Sequence, residues 1–257
     1  MSTTTPRATH WDIPRTVDAL HPPHRLLRLM RPAGRAYFRR RYDVRVHGAD
    51  LVPAVGPAIL ASNHIGLLDG PLLEAFAPRP LHALTKKEMF EGLTGRALLA
   101  LGQIPLERRG VDVRAILACL RVLRDGGLVG IYPEGTRGDG EAHTIRNGVA
   151  YLGLVTGAPI LPVAMFGTRE PGGATDSVPP RGARFDLVVG APHRLPRTAW
   201  PRTKAEVAAS AVEVQRWMTA HINDAQALTG RRLPGPIPGI GQDDLDAARR
   251  PPRRRTP

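Results

Sequence analysis

The chain has 257 residues, of which 36 are basic and 23 are acidic, so its formal net charge at neutral pH is +13. This length suits one large domain or two small ones. Hydrophobic residues make up 42%, a globular proportion that excludes a wholly disordered chain. The single cysteine, Cys119, excludes an intramolecular disulfide and a multi-cysteine metal site.

The positive charge is concentrated at the two ends of the chain. Residues 1–45 hold ten Arg against three Asp, a net charge of +7. Residues 231–257 hold seven Arg against three Asp, a net charge of +4, so the 185 residues between them are nearly neutral. Basic ends of this kind suit either nucleic acid or an anionic membrane surface. Charge alone leaves both partners open.

The amino-terminal sequence predicts a flexible lead followed by an amphipathic element. Residues 1–23 lack the apolar run of a signal peptide, and no window approaches the roughly 20 apolar residues of a spanning helix. Residues 24–42 alternate apolar and Arg side chains at helical spacing. Pro32 is expected to divide this segment into two short pieces. The segment could lie in a bilayer interface or pack with a solvated Arg face.

Strand and helix patterns alternate between residues 44 and 230. Short apolar runs predict strands at Val44–Val46, Ala58–Ser62, Leu81–Leu84, Ile104–Leu106, Leu128–Tyr132, Ile160–Met165 and Phe185–Val189. Helical patterns occur at Pro71–Phe76, Leu93–Leu101, Val113–Leu123, Gly148–Thr156 and Lys204–Ala227. The alternation predicts an α/β domain with a largely parallel or mixed central sheet flanked by helices.

Three regions follow from these patterns. Residues 1–43 form a basic lead that contains the amphipathic, membrane-surface segment, and residues 44–230 form the α/β domain. Residues 231–257 are rich in Pro, Gly and Arg, a composition that is typical of disordered segments. We therefore predict a disordered tail that begins at residue 231.

A histidine and an aspartate follow the second predicted strand. His64 comes two residues after this strand, and Asp69 follows five residues later. Imidazole takes a proton near neutral pH, and a carboxylate bonded to its other ring nitrogen fixes the tautomer. No serine is placed for activation by this pair, so the activated hydroxyl would belong to a substrate. On spacing alone, a purely structural His–Asp pair stays open.

Two further segments place arginines next to predicted strand ends. Arg108 and Arg109 follow the predicted strand in the segment GQIPLERRG, and arginine binds phosphate in a bidentate manner. In the segment YPEGTR, Gly135 permits close backbone approach and Arg137 supplies a charge for phosphate. Glu134 could orient a hydroxyl or that arginine. Taken alone, the first segment is better explained as a solvated basic turn and the second as an ordinary β-turn.

Four segments in this order resemble the glycerolipid acyltransferase family, which acylates lysophosphatidic acid. The matching positions are Asn63-His64-x4-Asp69, Gly102-x-Ile104-Pro105-Leu106-x-Arg108, Tyr132-Pro133-Glu134-Gly135-Thr136-Arg137 and Ile160-Leu161-Pro162-Val163. The resemblance extends from about Val44 to Phe166. It departs from the family at Gly138, where Ser is common.

The resemblance implies a glycerol-3-phosphate acyltransferase-like fold and a specific reaction. A fatty acyl group would pass from acyl-CoA or acyl carrier protein to the hydroxyl of lysophosphatidic acid, giving phosphatidic acid. His64 would be the general base and Asp69 would orient it. The implied acceptor-binding residues are Asn63, Arg108, Glu134, Gly135, Thr136 and Arg137. No bound cofactor and no metal are expected.

The sequence also leaves other functions open. The acceptor could be another lysolipid or a glycolipid. The terminal Arg runs favour a nucleic-acid or anionic-surface binding protein, although no aromatic interleaving or binding module supports it. A hydrolase would lack the G-x-S-x-G segment of serine enzymes. Together with the acyltransferase-like body, the basic ends predict a cytoplasmic protein on the inner face of the cell membrane, without a specific nucleic-acid partner.

Overall fold

The computed structural model describes residues 14–108 and 110–238, so the predicted lead residues 1–13, Arg109 and the tail residues 239–257 lie outside it. Within the described residues, seven strands form one sheet in the order β1-β7-β6-β2-β5-β3-β4. They are β1 Asp43–His47, β2 Ala58–Ser62, β3 Leu81–Lys86, β4 Ile104–Leu106, β5 Leu128–Ile131, β6 Ile160–Phe166 and β7 Arg184–Val189.

Neighbouring strands are parallel except for β6 and β7, which run antiparallel. The strands β2 and β6 are buried along their whole length because helices cover both faces of the sheet. The helices of the described residues are α1 Arg25–Arg41, α2 Asp69–Phe76, α3 Gly92–Ala100, α4 Val113–Arg124, α5 Gly148–Thr156 and α6 Lys204–Thr229. The predicted α/β class with a largely parallel or mixed sheet is confirmed.

The sheet separates two hydrophobic cores. Side chains of α4, α5 and α6 form one core with one face of the sheet, and side chains of α1 and α2 form the other. The helix α6 begins with a capping box, in which the Glu206 amide donates to the Thr203 hydroxyl and the Thr203 amide donates to the Glu206 carboxylate. The predicted start of this helix is therefore correct.

The helix α1 is continuous, which corrects the predicted break at Pro32. Proline removes the hydrogen bond to the carbonyl of Arg28 but leaves the rest of the helical ladder intact. Because Pro32 lies on the exposed side of the helix, water can reach that carbonyl. A long exposed helix thus tolerates one interior proline.

Two arginines hold α1 against the end of α2. The Arg31 guanidinium donates to the carbonyls of Glu74 and Ala77, and that of Arg35 donates to the carbonyls of Ala75 and Ala77. Positive charge at the carboxyl end of a helix complements its dipole. Burial lowers the pKa of Arg31 to about 10, so it keeps its charge at neutral pH. These arginines face the protein, not solvent.

Residues 231–238 pack on the domain, which corrects the prediction that disorder begins at residue 231. Leu233 packs against the α4–α6 core, and Ile237 is buried. The Arg231 guanidinium donates to the Arg184 carbonyl at 3.2 Å. The composition of this segment predicts disorder because it averages over the tail, whereas its few apolar residues find partners in the folded domain.

Candidate active site

The strands β6, β2, β5, β3 and β4 are mutually parallel, so their carboxyl ends meet at one edge of the sheet. The segments that follow β2, β4 and β5 contain the predicted site residues. Ligands of open α/β sheets bind outside this edge. The topology therefore brings together segments that are far apart in the sequence.

His64 and Asp69 form a hydrogen-bonded pair at this edge. The His64 Nδ1 atom lies 2.7 Å from Asp69 Oδ2. Asp69 is fully buried at the start of α2, whereas the His64 side chain is 18% exposed. An ionised carboxylate only accepts hydrogen bonds, so the neutral ring carries its proton on Nδ1 and leaves Nε2 as the base. The predicted contact between these two residues is present.

The surroundings of Asp69 hold its carboxylate in one position. Its Oδ2 accepts hydrogen bonds from the amides of Ile65 at 2.7 Å and Gly66 at 2.9 Å. The Thr168 hydroxyl donates to its Oδ1. The helix dipole of α2 also favours negative charge at this end. The turn between His64 and Asp69 is therefore built around the carboxylate.

Tyr132 covers one face of the His64 ring. The two rings stack with centroids 4.2 Å apart and an interplanar angle of 26°. Burial raises the pKa of Tyr132, and the negative charge of Asp69 raises it further, so its phenol stays protonated. Because a neutral ring fixes the plane of the imidazole, Nε2 keeps one direction.

Glu134 lies against the backbone of His64. Its Oε1 accepts a hydrogen bond from the His64 amide at 2.9 Å, and Glu134 is fully buried. The Gly138 amide donates to the His64 carbonyl at 2.8 Å. The segment after β5 thus holds both sides of the His64 peptide.

The Asn63 side chain does not lie where the resemblance predicts that it contacts the acceptor. Its Nδ2 donates to the Met165 carbonyl at 3.2 Å, and its Oδ1 accepts from the Met165 amide at 2.8 Å. The residue is fully buried. Its side chain therefore bridges β2 and the end of β6 instead of facing the open edge.

Arg108 and Arg146 lie close together beside the segment YPEGTR, which follows β5. The Arg108 guanidinium donates to the Gly135 carbonyl at 3.0 Å, and the Arg146 guanidinium donates to the Arg108 carbonyl at 3.3 Å. Gly135 has a φ of +72°, and a Cβ there would collide with the Arg146 side chain. Arg137 follows in the same loop and is partly exposed. Positive charge thus gathers next to the His–Asp pair. No sequence pattern points to Arg146, which reaches this position from the segment before α5.

Thr168 and Arg169 are further residues at this edge that the sequence patterns do not indicate. Thr168 is fully buried and Arg169 is 1% exposed. A Cβ at Gly66 would collide with the Thr168 carbonyl, so the glycine permits this close approach. Both residues come directly after Gly167, just beyond the end of β6. Their position after a parallel strand is the one signal that points to them.

Within residues 14–108 and 110–238, no group of three or more His, Cys, Asp or Glu side chains is placed to hold a metal ion.

A profile of the Acyltransferase family matches residues 43–166. Residues 43–166 therefore resemble an acyltransferase domain. The matched range contains the strands β1 to β6 and the His–Asp pair. The resemblance predicted from the four ordered segments is confirmed.

Curated relatives resemble this chain over part of their length. A 1-acyl-sn-glycerol-3-phosphate acyltransferase of Borreliella burgdorferi is 30% identical over 130 residues, 49% of this chain and 52% of that protein. One of Bacillus subtilis is 29% identical over 129 residues, 49% of this chain and 64% of that protein. The chain therefore spans about half to two thirds of the length of these relatives.

The chain also resembles a solved structure in its fold. The crystal structure of a 1-acyl-sn-glycerophosphate acyltransferase from Thermotoga maritima matches with a TM-score of 0.59 and 22% sequence identity. The match covers 79% of this chain and 80% of that chain. At this level of identity the likeness concerns the fold, which agrees with the sheet described above.

Proposed function

We propose that the protein transfers a fatty acyl group from acyl-CoA or acyl carrier protein to the hydroxyl of lysophosphatidic acid, giving phosphatidic acid. The observation that carries this proposal is the His64–Asp69 pair, whose ring is partly exposed beside an arginine-rich loop. The family of the domain and the names of its relatives support an acyl transfer reaction.

The chemistry requires one base and no enzyme-bound acyl group. His64 Nε2 takes the proton of the acceptor hydroxyl, and the oxygen attacks the thioester carbonyl. Asp69 stabilises the imidazolium that forms. The tetrahedral intermediate then expels the thiolate of the donor, which takes the proton from the imidazolium. The products are the ester and the free thiol.

The acceptor phosphate is proposed to lie against the arginines. Arg108 and Arg137 supply charge and paired donors for phosphate oxygens. The hydroxyl of Thr136 supplies a further donor for the phosphate or the glycerol. Gly135 shapes the loop instead, because its amide donates to the Tyr132 carbonyl at 2.9 Å and its carbonyl accepts from Arg108. Glu134 accepts a hydrogen bond from the His64 amide. We therefore propose that Glu134 assists acceptor binding indirectly, by holding His64 beside the loop after β5.

The protein is proposed to work as a peripheral protein on the inner face of the cell membrane. None of the described helices is both long and apolar enough to cross a bilayer. The helix α1 exposes apolar side chains to solvent, and these are Leu26, Leu29, Met30 and Tyr37. Arginines flank them along the same helix. An apolar stripe with basic flanks suits an anionic lipid surface.

The decisive experiment compares wild type with His64→Ala in acyl transfer from a labelled thioester to lysophosphatidic acid. Loss of a general base is expected to lower kcat by about 10²–10⁴-fold. The matched control is His143→Ala, since His143 pairs with Glu141 on the surface and its side chain is 54% exposed. The control should keep wild-type kcat, and both variants should keep the wild-type melting temperature.

The same assay separates the alternatives. Full activity of His64→Ala would overturn the mechanism. Activity on other lysolipids or glycolipids, but not on lysophosphatidic acid, would overturn the acceptor. Release of free fatty acid without an acceptor would indicate a hydrolase. Salt-sensitive binding to duplex DNA, without thioester turnover, would indicate a nucleic-acid binding protein.

A further inference from the structure

Arg169 is a buried arginine whose guanidinium binds the backbone carbonyls of several segments next to the His–Asp pair. Its Nε donates to the Ile65 carbonyl at 2.9 Å, and its Nη2 donates to the carbonyls of Gly138 at 2.9 Å and Gly235 at 2.7 Å. Its Nη1 donates to the Gly173 carbonyl at 3.1 Å. Only 1% of the residue is exposed, so these carbonyls replace the water that the charge has lost.

Two of these carbonyls belong to the peptides that hold the catalytic histidine. Ile65 follows His64, and its own amide donates to the Asp69 carboxylate. The Gly138 amide donates to the His64 carbonyl. The Arg169 guanidinium therefore joins the turn after β2 to the loop after β5, on either side of His64.

The charge of Arg169 persists in this site. Burial lowers its pKa, and the nearby carboxylates of Asp139 and Asp69 act in the opposite direction. Arginine does not lose its proton in proteins, so the guanidinium remains a cation with all its donors. A buried cation with fully directed donors binds carbonyl oxygens strongly and in fixed directions.

A segment after α6 completes the surroundings of Arg169. We call residues 231–238 the C-terminal strap. The Gly235 carbonyl of the strap accepts from Arg169, and Ile237 is buried. The Leu233 Cδ2 atom lies 3.2 Å from the position that a Cβ of Gly140 would take, so the strap also touches the loop after β5. The strap is therefore in contact with the site although it lies far outside the matched acyltransferase range.

We propose that Arg169 is a positioning residue for His64, and that the C-terminal strap acts on the site through Arg169. The strap holds the guanidinium, and the guanidinium holds the Ile65 and Gly138 peptides that direct the imidazole towards the acceptor hydroxyl. This inference rests on the proposed acyl transfer for its kinetic consequence, but the positioning itself is a property of the fold.

The kinetic test compares Arg169→Met and Arg169→Lys with wild type in the full chain. A shift of about 1 Å in a reacting group costs roughly 10²-fold in rate, so Arg169→Met is expected to lower kcat by about that factor. The KM for donor and acceptor should stay within about twofold, because a positioning residue touches neither substrate. Lysine offers fewer donors and should restore kcat in part.

The matched control is Arg194→Met. The Arg194 guanidinium donates to the Gly157 carbonyl at 2.6 Å, before the start of β6 and so near the opposite edge of the sheet. This variant should keep wild-type kcat. An equal loss in Arg194→Met would show that removing any carbonyl-bound arginine lowers activity, and would overturn the specific role of Arg169.

The strap is tested by a double-mutant cycle with Leu233→Ala. Leu233→Ala alone is expected to lower kcat, and the same change made in Arg169→Met should have little further effect, since the two act through one pathway. Additive effects would overturn the coupling between the strap and Arg169. Wild-type kcat in Leu233→Ala would overturn the role of the strap.

Hydrogen exchange provides a readout that does not depend on catalysis. Loss of Arg169 should accelerate exchange of the Ile65 and Gly138 amides, while amides of β1 keep wild-type rates. If wild type shows no acyl transfer, the proposed function fails and the exchange result still decides the positioning role. If Arg169→Met does not fold, Arg169→Lys and Leu233→Ala carry the test, and wild-type exchange at Gly138 in both variants would overturn it.

Discussion

The Asp69 carboxylate is held both by neighbouring residues and by a residue far away in the sequence. Its Oδ2 accepts from His64 Nδ1 and from amides of the adjoining turn, all within five residues. Its Oδ1 accepts from the hydroxyl of Thr168, which is 99 residues away. The local contacts follow from the H-x4-D spacing, whereas the hydroxyl comes from the segment after β6, the strand next to β2 in the sheet.

Removing this hydroxyl should weaken catalysis without removing the base. Thr168→Val leaves Asp69 Oδ1 buried without its donor, and a hydrogen bond to a charged group contributes about 1.5–3 kcal/mol. We expect kcat to fall by about tenfold or more, with KM values unchanged and recovery in Thr168→Ser. The control Thr156→Val removes a hydroxyl that donates to the Leu152 carbonyl within α5. Wild-type kcat in Thr168→Val would contradict the proposed support of Asp69.

At the scale of elements, α2 connects the site to α1. The helix begins at Asp69, and its last carbonyls accept from Arg31 and Arg35 of α1. Its residue Glu74 is largely buried, and burial raises its pKa to about 8. In the folded state this carboxyl therefore keeps a proton over a pH range in which the unfolded chain has lost it.

The buried carboxyl makes stability depend on pH in a definite direction. Between pH 4.5 and about 8 the folded state binds the extra proton, so the free energy of unfolding falls as pH rises, by up to about 1.4 kcal/mol per pH unit. Above about pH 8 this contribution no longer changes. Glu74→Gln should remove the slope, measured by denaturant unfolding at pH 5 and pH 8. The exposed Glu213→Gln is the control, and a wild-type slope in Glu74→Gln would contradict the assignment.

At the scale of the whole molecule, the charge of +13 is a property of the ends of the chain, not of the α/β domain between them. The arginines of α1 divide into two groups. Arg31 and Arg35 bind the end of α2, whereas Arg39 and Arg40 are exposed. Together with the exposed apolar side chains of α1, the second group suits an anionic lipid surface.

Charged substitutions on this stripe should therefore release the protein from vesicles. The double change Leu29→Glu and Tyr37→Glu replaces side chains that are 73% and 60% exposed, so folding should be unaffected. Loss of apolar burial and added repulsion are expected to weaken binding to anionic vesicles by at least about tenfold. The control is Val178→Glu, an exposed apolar residue elsewhere. Unchanged cosedimentation of the double variant would refute membrane contact through α1.

The sequence by itself determined the secondary structure of the domain and most of the site. Strands such as Ala58–Ser62 and Ile104–Leu106 have the predicted bounds because apolar runs and turn residues are local signals. The His64–Asp69 contact was likewise predictable, since five residues of tight turn bring the two side chains together.

Only the tertiary structure decided the strand order, and with it every contact between distant segments. The hydroxyl of Thr168 on Asp69, the guanidinium of Arg169 between the segments after β2 and β5, and the packing of residues 231–238 all depend on which strands are neighbours. The bridge that Asn63 makes to Met165 has the same origin. Periodicity reports which face of an element is apolar, but not which element covers that face. The same gap explains why Pro32 was expected to break α1, because exposure of its side decides whether water can replace the missing hydrogen bond.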